Sequence, residues 1–182
     1  MMKRKIDLYL QDWKQDSTHK PLIVRGARQV GKTFSVRQFG KTYSSFIEIN
    51  FVTHPEFKGI FSQGHSVDAV IRQISFLNPQ FQFIENETLI FFDEIQEFPD
   101  CATCLKFFME DHRFDVICSG SMMGLNYKEI ASNSVGHKTD YTMHSLDFEE
   151  FLWAKGYKDE QIGDLLQHLV TITPFSTLEM DV

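Results

Sequence analysis

The chain is short of several things, and each shortage narrows its class. It has three cysteines in 182 residues. That is an odd number in a chain too long to rely on a disulfide scaffold, so reduced thiols and a cytosolic setting are expected. No stretch approaches the ~18 uninterrupted apolar residues of a membrane span, so none is expected. The opening, "MMKRKIDLYLQDWKQD", carries a basic cluster, but Asp7, Asp12 and Lys14 interrupt the apolar residues behind it, which argues against a secretory signal. Positive charge is in deficit: 18 Lys and Arg face 25 Asp and Glu, for a formal net charge of −7. A face that grips nucleic acid broadly is usually basic, so nucleic acid is not an expected partner. Internal repeats, low-complexity tracts and long linkers are also lacking.

What is present is an ordinary globular balance, 42% apolar and 24% charged, with 18 phenylalanines that predict an aromatic-rich core. Ile6, Tyr9, Leu10 and Trp13 recur at helical spacing and predict an amphipathic helix over 3–15. "PLIVR" (21–25), "SFIEINF" (45–51), "TLIFFDE" (88–94), "FDVICSGS" (114–121) and "KTDYTMH" (138–144) read as strands. Pro21 opens the first, where a missing N–H costs least. Helices are expected over 32–39, after a Ser66 cap (Val67, Val70, Ile71, Ile74), and from Pro99 and Asp100 (Cys101, Cys104, Leu105, Phe108). Another should follow an Asp147 cap, with Glu150 completing a capping box, and a last one should carry Ile162, Leu165, Leu166 and Leu169. Strands alternating with helices imply an α/β fold with a mainly parallel sheet. The closing "TITPFSTLEMDV" matches no element and reads as the start of a further region.

Gly26-Ala27-Arg28-Gln29-Val30-Gly31-Lys32-Thr33 fits G-x-x-x-x-G-K-[ST], the Walker A pattern, between a strand and a helix. Wrapping a phosphate requires several backbone N–H groups to point inward, and glycine permits the dihedrals. The helix start adds its positive end. Lys32 is a mobile point charge for the β- and γ-phosphates, and Thr33 offers a hydroxyl to Mg²⁺. "LIFFDE" supplies a second half. Asp93 and Glu94 stand at a strand's carboxyl end, where ligands bind in open α/β sheets. There Asp93 would hold Mg²⁺ through a water, and Glu94 would activate the water that attacks the γ-phosphate. Ser119 and Ser121, after "FDVIC", both suit a sensor of that phosphate, and the sequence does not separate them.

Other features are weaker. Cys101-Ala-Thr-Cys104 has no second pair for zinc, and its thiols fall on an apolar face, so core cysteines are favoured over a redox pair. The seven histidines show no metal-ligand spacing. Trp13 suits core packing better than stacking on adenine. Asn126-Tyr-Lys-Glu129 is not the guanine-reading Asn-Lys-x-Asp, so ATP is favoured over GTP.

The ordered motifs "RGARQVGKT", "IFFDEIQ", "ICSGSMMG" and "YTMHSLDFEEFL" resemble the P-loop ATPases of the additional-strand type. More narrowly, they look like AAA-like bacterial and archaeal ATPases whose ATPase domain precedes a C-terminal domain of uncharacterised role. The resemblance covers roughly residues 4 to 155. It implies a three-layer sandwich with about five strands in the order 5-1-4-3-2. It also implies ATP and Mg²⁺ as cofactors, with Gly26 to Thr33 and Phe34 on the nucleotide, Thr33 and Asp93 on the metal, and Lys32, Glu94 and Ser119 or Ser121 in catalysis.

The expected division is an N-terminal helix (1–17), a P-loop core (18–145) and a helical extension (146–182) that begins a truncated region. Relatives often carry an arginine after the glycine of "SVGHKTDY", where this chain has His137; Arg25, Arg28 and Arg113 are candidates for a transition-state arginine, and an arginine from another subunit, or none, are the alternatives. The implied activity is Mg²⁺-dependent ATP hydrolysis, slow for this region alone, in the cytoplasm, with an unknown protein partner or client and a possible homo-oligomer. The alternative is a nucleotide-gated switch in which ATP orders the helix after Asp147. A nucleotide or small-molecule kinase would need a lid with several arginines, and none occurs between Gly120 and Val182.

Overall fold

The computed structural model describes residues 3–121 and 135–171. Five apolar runs become strands: β1 (Leu22–Gly26), β2 (Ser45–Asn50), β3 (Thr88–Asp93), β4 (Asp115–Ser121) and β5 (Thr139–Met143). All adjacent pairs are parallel, in the order β2-β3-β4-β1-β5. Read from the other edge, this is the order the resemblance implied, with β4 between the strands that carry the two phosphate-site motifs.

The two-residue alternation of β3 shows how the layers form. Leu89 and Phe91 face one apolar cluster, and Ile90 and Phe92 face the other. The first cluster gathers α1 (Lys5–Gln15) through Ile6, Leu10 and Trp13, and α2 (Lys32–Gly40) through Val36 and Phe39. The second gathers α3 (Val67–Leu77) and α4 (Leu105–Asp111) through Val70, Ile74, Leu105 and Phe108. All six residues of β3 are buried, as a strand covered on both faces requires. Fully burying a side chain such as Phe91 contributes about 1.5–3 kcal/mol.

Three local features differ from the sequence-based expectation. The helix predicted from Pro99 is a 3-10 segment (Pro99–Cys104) that becomes α-helical only at Leu105. Cys, Thr and Asp form α-helix poorly, and the tighter i→i+3 turn suits the start, with the Cys101 N–H donating to Phe98 O at 3.1 Å. A further 3-10 segment, Pro55–Phe61, follows β2; Pro55 at its start and Phe57, Ile60 and Phe61 at turn spacing were its available signal. Glu94, expected as the last residue of a strand, has left it: its φ is 57°.

Ile6–Ser145 form one compact unit. Met1–Lys5 with Leu146–Val182 form the other, which holds α5 (Phe148–Ala154) and α6 (Asp159–Thr171). There Asp147 caps α5 by accepting from the Glu150 N–H at 2.9 Å, and Glu150 reaches back to the Asp147 N–H at 3.2 Å. Glu150 also accepts from the Lys5 N–H at 2.8 Å and lies 3.0 Å from the Arg4 guanidinium, so one buried carboxylate binds the start of the chain to the start of α5. Residues 126–129, residues 172–182 and the Leu169 side chain lie outside the described residues.

Candidate phosphate-binding site

Parallel strands end together, so Gly26, Asn50, Asp93 and Ser121 share the carboxyl edge of the sheet. A cleft of about 740 Å³ opens there, lined by Arg28, Gln29, Gly31, Lys32, Thr33, Phe34, Phe51, Val52, Pro55, Lys58, Glu94, Gln96, Glu97 and Ser121.

The two glycines of the loop serve different needs. Gly31 has φ 102° and stands directly before α2, a dihedral that L side chains rarely adopt. Gly26 is fixed by crowding: a Cβ there would lie 2.2 Å from the Met143 carbonyl oxygen of β5. Gln29 adopts φ 62° between them. With Gly31 as N-cap and no side-chain cap, the first N–H groups of α2 are left for another acceptor.

Lys32 is buried, and its ammonium donates to Gly26 O at 3.2 Å and Ala27 O at 2.7 Å. Burial pulls its pKa below the ordinary lysine value, and the nearby Glu94 and Asp93 charges oppose that pull. Thr33 Oγ1 donates to the Asp93 carboxylate at 3.1 and 3.3 Å, which joins the start of α2 to the end of β3. Asn50 Nδ2 (3.0 Å), the Glu94 N–H (3.1 Å) and the Ser119 hydroxyl also donate to Asp93. Asp93 is 1% exposed, and burial raises its pKa against the pull of these hydrogen bonds. Glu94 is partly exposed on the cleft wall; its left-handed backbone turns the chain at the strand end.

The structure separates the two serines. Ser119 is spent on Asp93. Ser121 is 3% exposed and lines the cleft, and its hydroxyl has no hydrogen-bond partner among the described residues. Register explains the difference, since Ser119 pairs with Val24 while Ser121 pairs with Gly26 at the loop itself. The site also holds Asn50 and Gln96, which the sequence alone does not single out. Of the three arginine candidates, only Arg28 lines the cleft. Arg25 donates to Thr142 Oγ1 at 2.9 Å, and Arg113 is engaged by Asp111 and Asp68, each at 2.7 Å, before the start of β4.

The weaker sequence features stay apart from the cleft. Trp13 is core, its indole N–H donating to Lys20 O at 2.9 Å. Cys101 and Cys104 are fully buried, and burial raises both thiol pKa values, which makes them poor nucleophiles. Among the described residues, no group of three or more His, Cys, Asp or Glu forms a metal cluster. Nor is any helix among them long and apolar enough to cross a membrane.

A five-stranded parallel sheet with β4 between the two motif strands, and a glycine loop opening α2, defines a P-loop ATPase fold. The profile of the AAA domain family matches residues 18–152, and the chain belongs to that family. It is 30% identical over 125 residues to an uncharacterized protein of Methanocaldococcus jannaschii; the match covers 68% of this chain and 28% of that relative. Among solved structures, the Walker-type ATPase PABY2304 of Pyrococcus abyssi is similar, with a TM-score of 0.54 and 14% identity over 92% of this chain and 63% of that one. At that identity the likeness shows the fold alone. The chain thus spans less than two thirds of either protein's length.

Proposed function

We propose that the chain binds and hydrolyses ATP with Mg²⁺, and that the turnover serves a task performed with protein segments or partners outside it. The observation that carries this reading is the hydrogen bond from Thr33, on the cleft wall with Lys32, to the buried Asp93 carboxylate behind it. A hydroxyl and one carboxylate, completed by phosphate oxygens and water, suit Mg²⁺, which seldom uses an all-protein cage. The unpartnered Ser121 hydroxyl fits a phosphate oxygen in the same cleft.

In this reading the α2 amides and the Lys32 ammonium bind the polyphosphate, with Lys32 exchanging its loop carbonyls for phosphate oxygens. Thr33 and Asp93 would hold Mg²⁺, which neutralises charge on the phosphates when bound. Glu94 takes a proton from the attacking water as its oxygen bonds to the γ-phosphorus. The bond from that phosphorus to the bridging oxygen breaks, and ADP leaves with the electron pair. Ser121 senses the γ-phosphate, and Ser119 orients Asp93. Phe34 and Val52, each more than half exposed, offer apolar surface beside the loop.

A cytoplasmic setting, a possible homo-oligomer and an unidentified protein client belong to the same proposal. One observation favours a nucleotide-gated switch as second reading: Arg28 is the single arginine on the cleft among the described residues, so rapid transition-state stabilisation needs a group from elsewhere. Phosphate release measured with and without Mg²⁺ tests the main reading. Mg²⁺-dependent release that Glu94→Gln abolishes is expected; tight ATP binding without release supports the switch.

A further inference from the structure

Gln96 stands two residues after Glu94, in the one-turn 3-10 segment Ile95–Glu97. Its side-chain amide is committed at both ends. Nε2 donates to Glu94 Oε2, and Oε1 accepts from the Ser121 N–H at 3.1 Å. Gln96 is 8% exposed, and Ile95 beside it is fully in the core, so the segment has little freedom to slide. Gly120 makes room for this arrangement: a Cβ there would lie 2.9 Å from Gln96 Oε1 and 3.2 Å from Ile95 Cγ1. Ser121, whose N–H Gln96 holds on β4, is also the residue whose hydroxyl is buried, without a hydrogen-bond partner among the described residues, and at the cleft wall.

We infer that Gln96 is a positioning residue that couples occupation of Ser121 by the terminal phosphate to the placement of the Glu94 carboxylate. This inference rests on the ATPase reading above and deepens it. A planar amide is a rigid link, with a donor and an acceptor fixed at opposite sides. An oxygen taken up by the Ser121 hydroxyl shifts the end of β4. The shift passes through the Ser121 N–H to Gln96 Oε1, and through Nε2 to Glu94. A ligand that lacks the terminal phosphate leaves Ser121 untouched and Glu94 where it is. The sequence "SGS" then has a reason in each residue: Ser119 holds Asp93, Gly120 admits Gln96, and Ser121 reads the ligand.

Three variants separate this role from a structural one. Gln96→Ala removes both bonds. Gln96→Glu keeps an acceptor for the Ser121 N–H but has no donor for Glu94. Gly120→Ala drives the amide away from β4. Each is expected to keep ATP affinity within about threefold while kcat falls about 10- to 100-fold, the scale of a displaced catalytic group. Gln96→Ala combined with Gly120→Ala should lose no more than the worse single variant, because both act through one group.

A second readout needs no turnover. In nuclear magnetic resonance spectra of the parent protein, the Gln96 side-chain amide and the Ser121 N–H should both move with a non-hydrolysable ATP analogue and not with ADP. In Gln96→Glu the Ser121 response should persist. Parental kcat in all three variants, or identical responses to the two nucleotides, overturns the inference. If the parent binds the analogue but releases no phosphate, the hydrolysis reading fails and the spectra alone decide the coupling. If the parent binds neither nucleotide, both fail.

Discussion

Two aspartates, at opposite ends of the sheet, are satisfied in different ways. At the amino end, Asp115 accepts from the Tyr43 hydroxyl at 2.6 Å and meets His19 Nε2 at 2.8 Å, while His19 Nδ1 lies 2.6 Å from Asp16 O. Both ring nitrogens of His19 therefore face acceptors, the arrangement of an imidazolium, and its pKa is raised chiefly by the Asp115 bond. At the carboxyl end, Asp93 gathers hydroxyl, amide and main-chain donors. No cationic side chain bonds to it among the described residues, and Lys32 spends its ammonium on loop carbonyls. The amino end closes a charge with a charge and ties the turn after α1 to the start of β4. The carboxyl end holds a charge with neutral dipoles, next to an open cleft and an unpartnered hydroxyl. The first arrangement contributes stability; under the proposed function the second serves a ligand, which replaces the loop carbonyls at Lys32.

That contrast can be broken from either side. The largest effect is expected from Lys32→Ala, which should abolish measurable ATP binding while the folded circular-dichroism spectrum is kept. Next is Glu94→Gln, expected to retain ATP and lose turnover by about 10²- to 10⁴-fold, the usual worth of a general base. At the other end, Asp115→Asn should cost about 1–3 kcal/mol in denaturant unfolding, with ATP affinity unchanged, because it strips a charge partner from His19. Equal damage to binding would erase the distinction between the ends.

The smallest effect is a pH dependence. His19 has a raised pKa in the folded state, so its contribution is fully present below the unfolded value of about 6.5 and fades as pH rises through the folded value. Lys14, Asp16, Tyr43 and Asp115 stand around it, and His112, Asp12, Lys20 and Lys138 line the same two hollows. Melting temperature followed across neutral to alkaline pH should show that loss in the parent and a flatter profile in His19→Gln.

The sequence showed the ladder of elements and the loop because both are local. Hydrophobic period marks strands and helices, and Gly26 to Thr33 are contiguous. It did not show which serine faces the cleft. Ser119 and Ser121 share one strand face, and only the pairing with Val24 and Gly26 sets their depth. Asn50 was invisible for the same reason: it reaches Asp93 because β2 and β3 pair in register, Asn50 level with Asp93. Gln96 lay in plain view in "DEIQ", yet its partner on β4 stands 25 positions later. The crowding that makes Gly26 necessary comes from β5, more than a hundred residues downstream.

The most direct test is calorimetric titration of the protein with ATP, ADP and GTP, with and without Mg²⁺. The account predicts saturable binding of ATP that Mg²⁺ strengthens, that exceeds GTP, and that disappears in Lys32→Ala. Absence of any nucleotide heat in the parent, or binding that survives unchanged in Lys32→Ala, would contradict it.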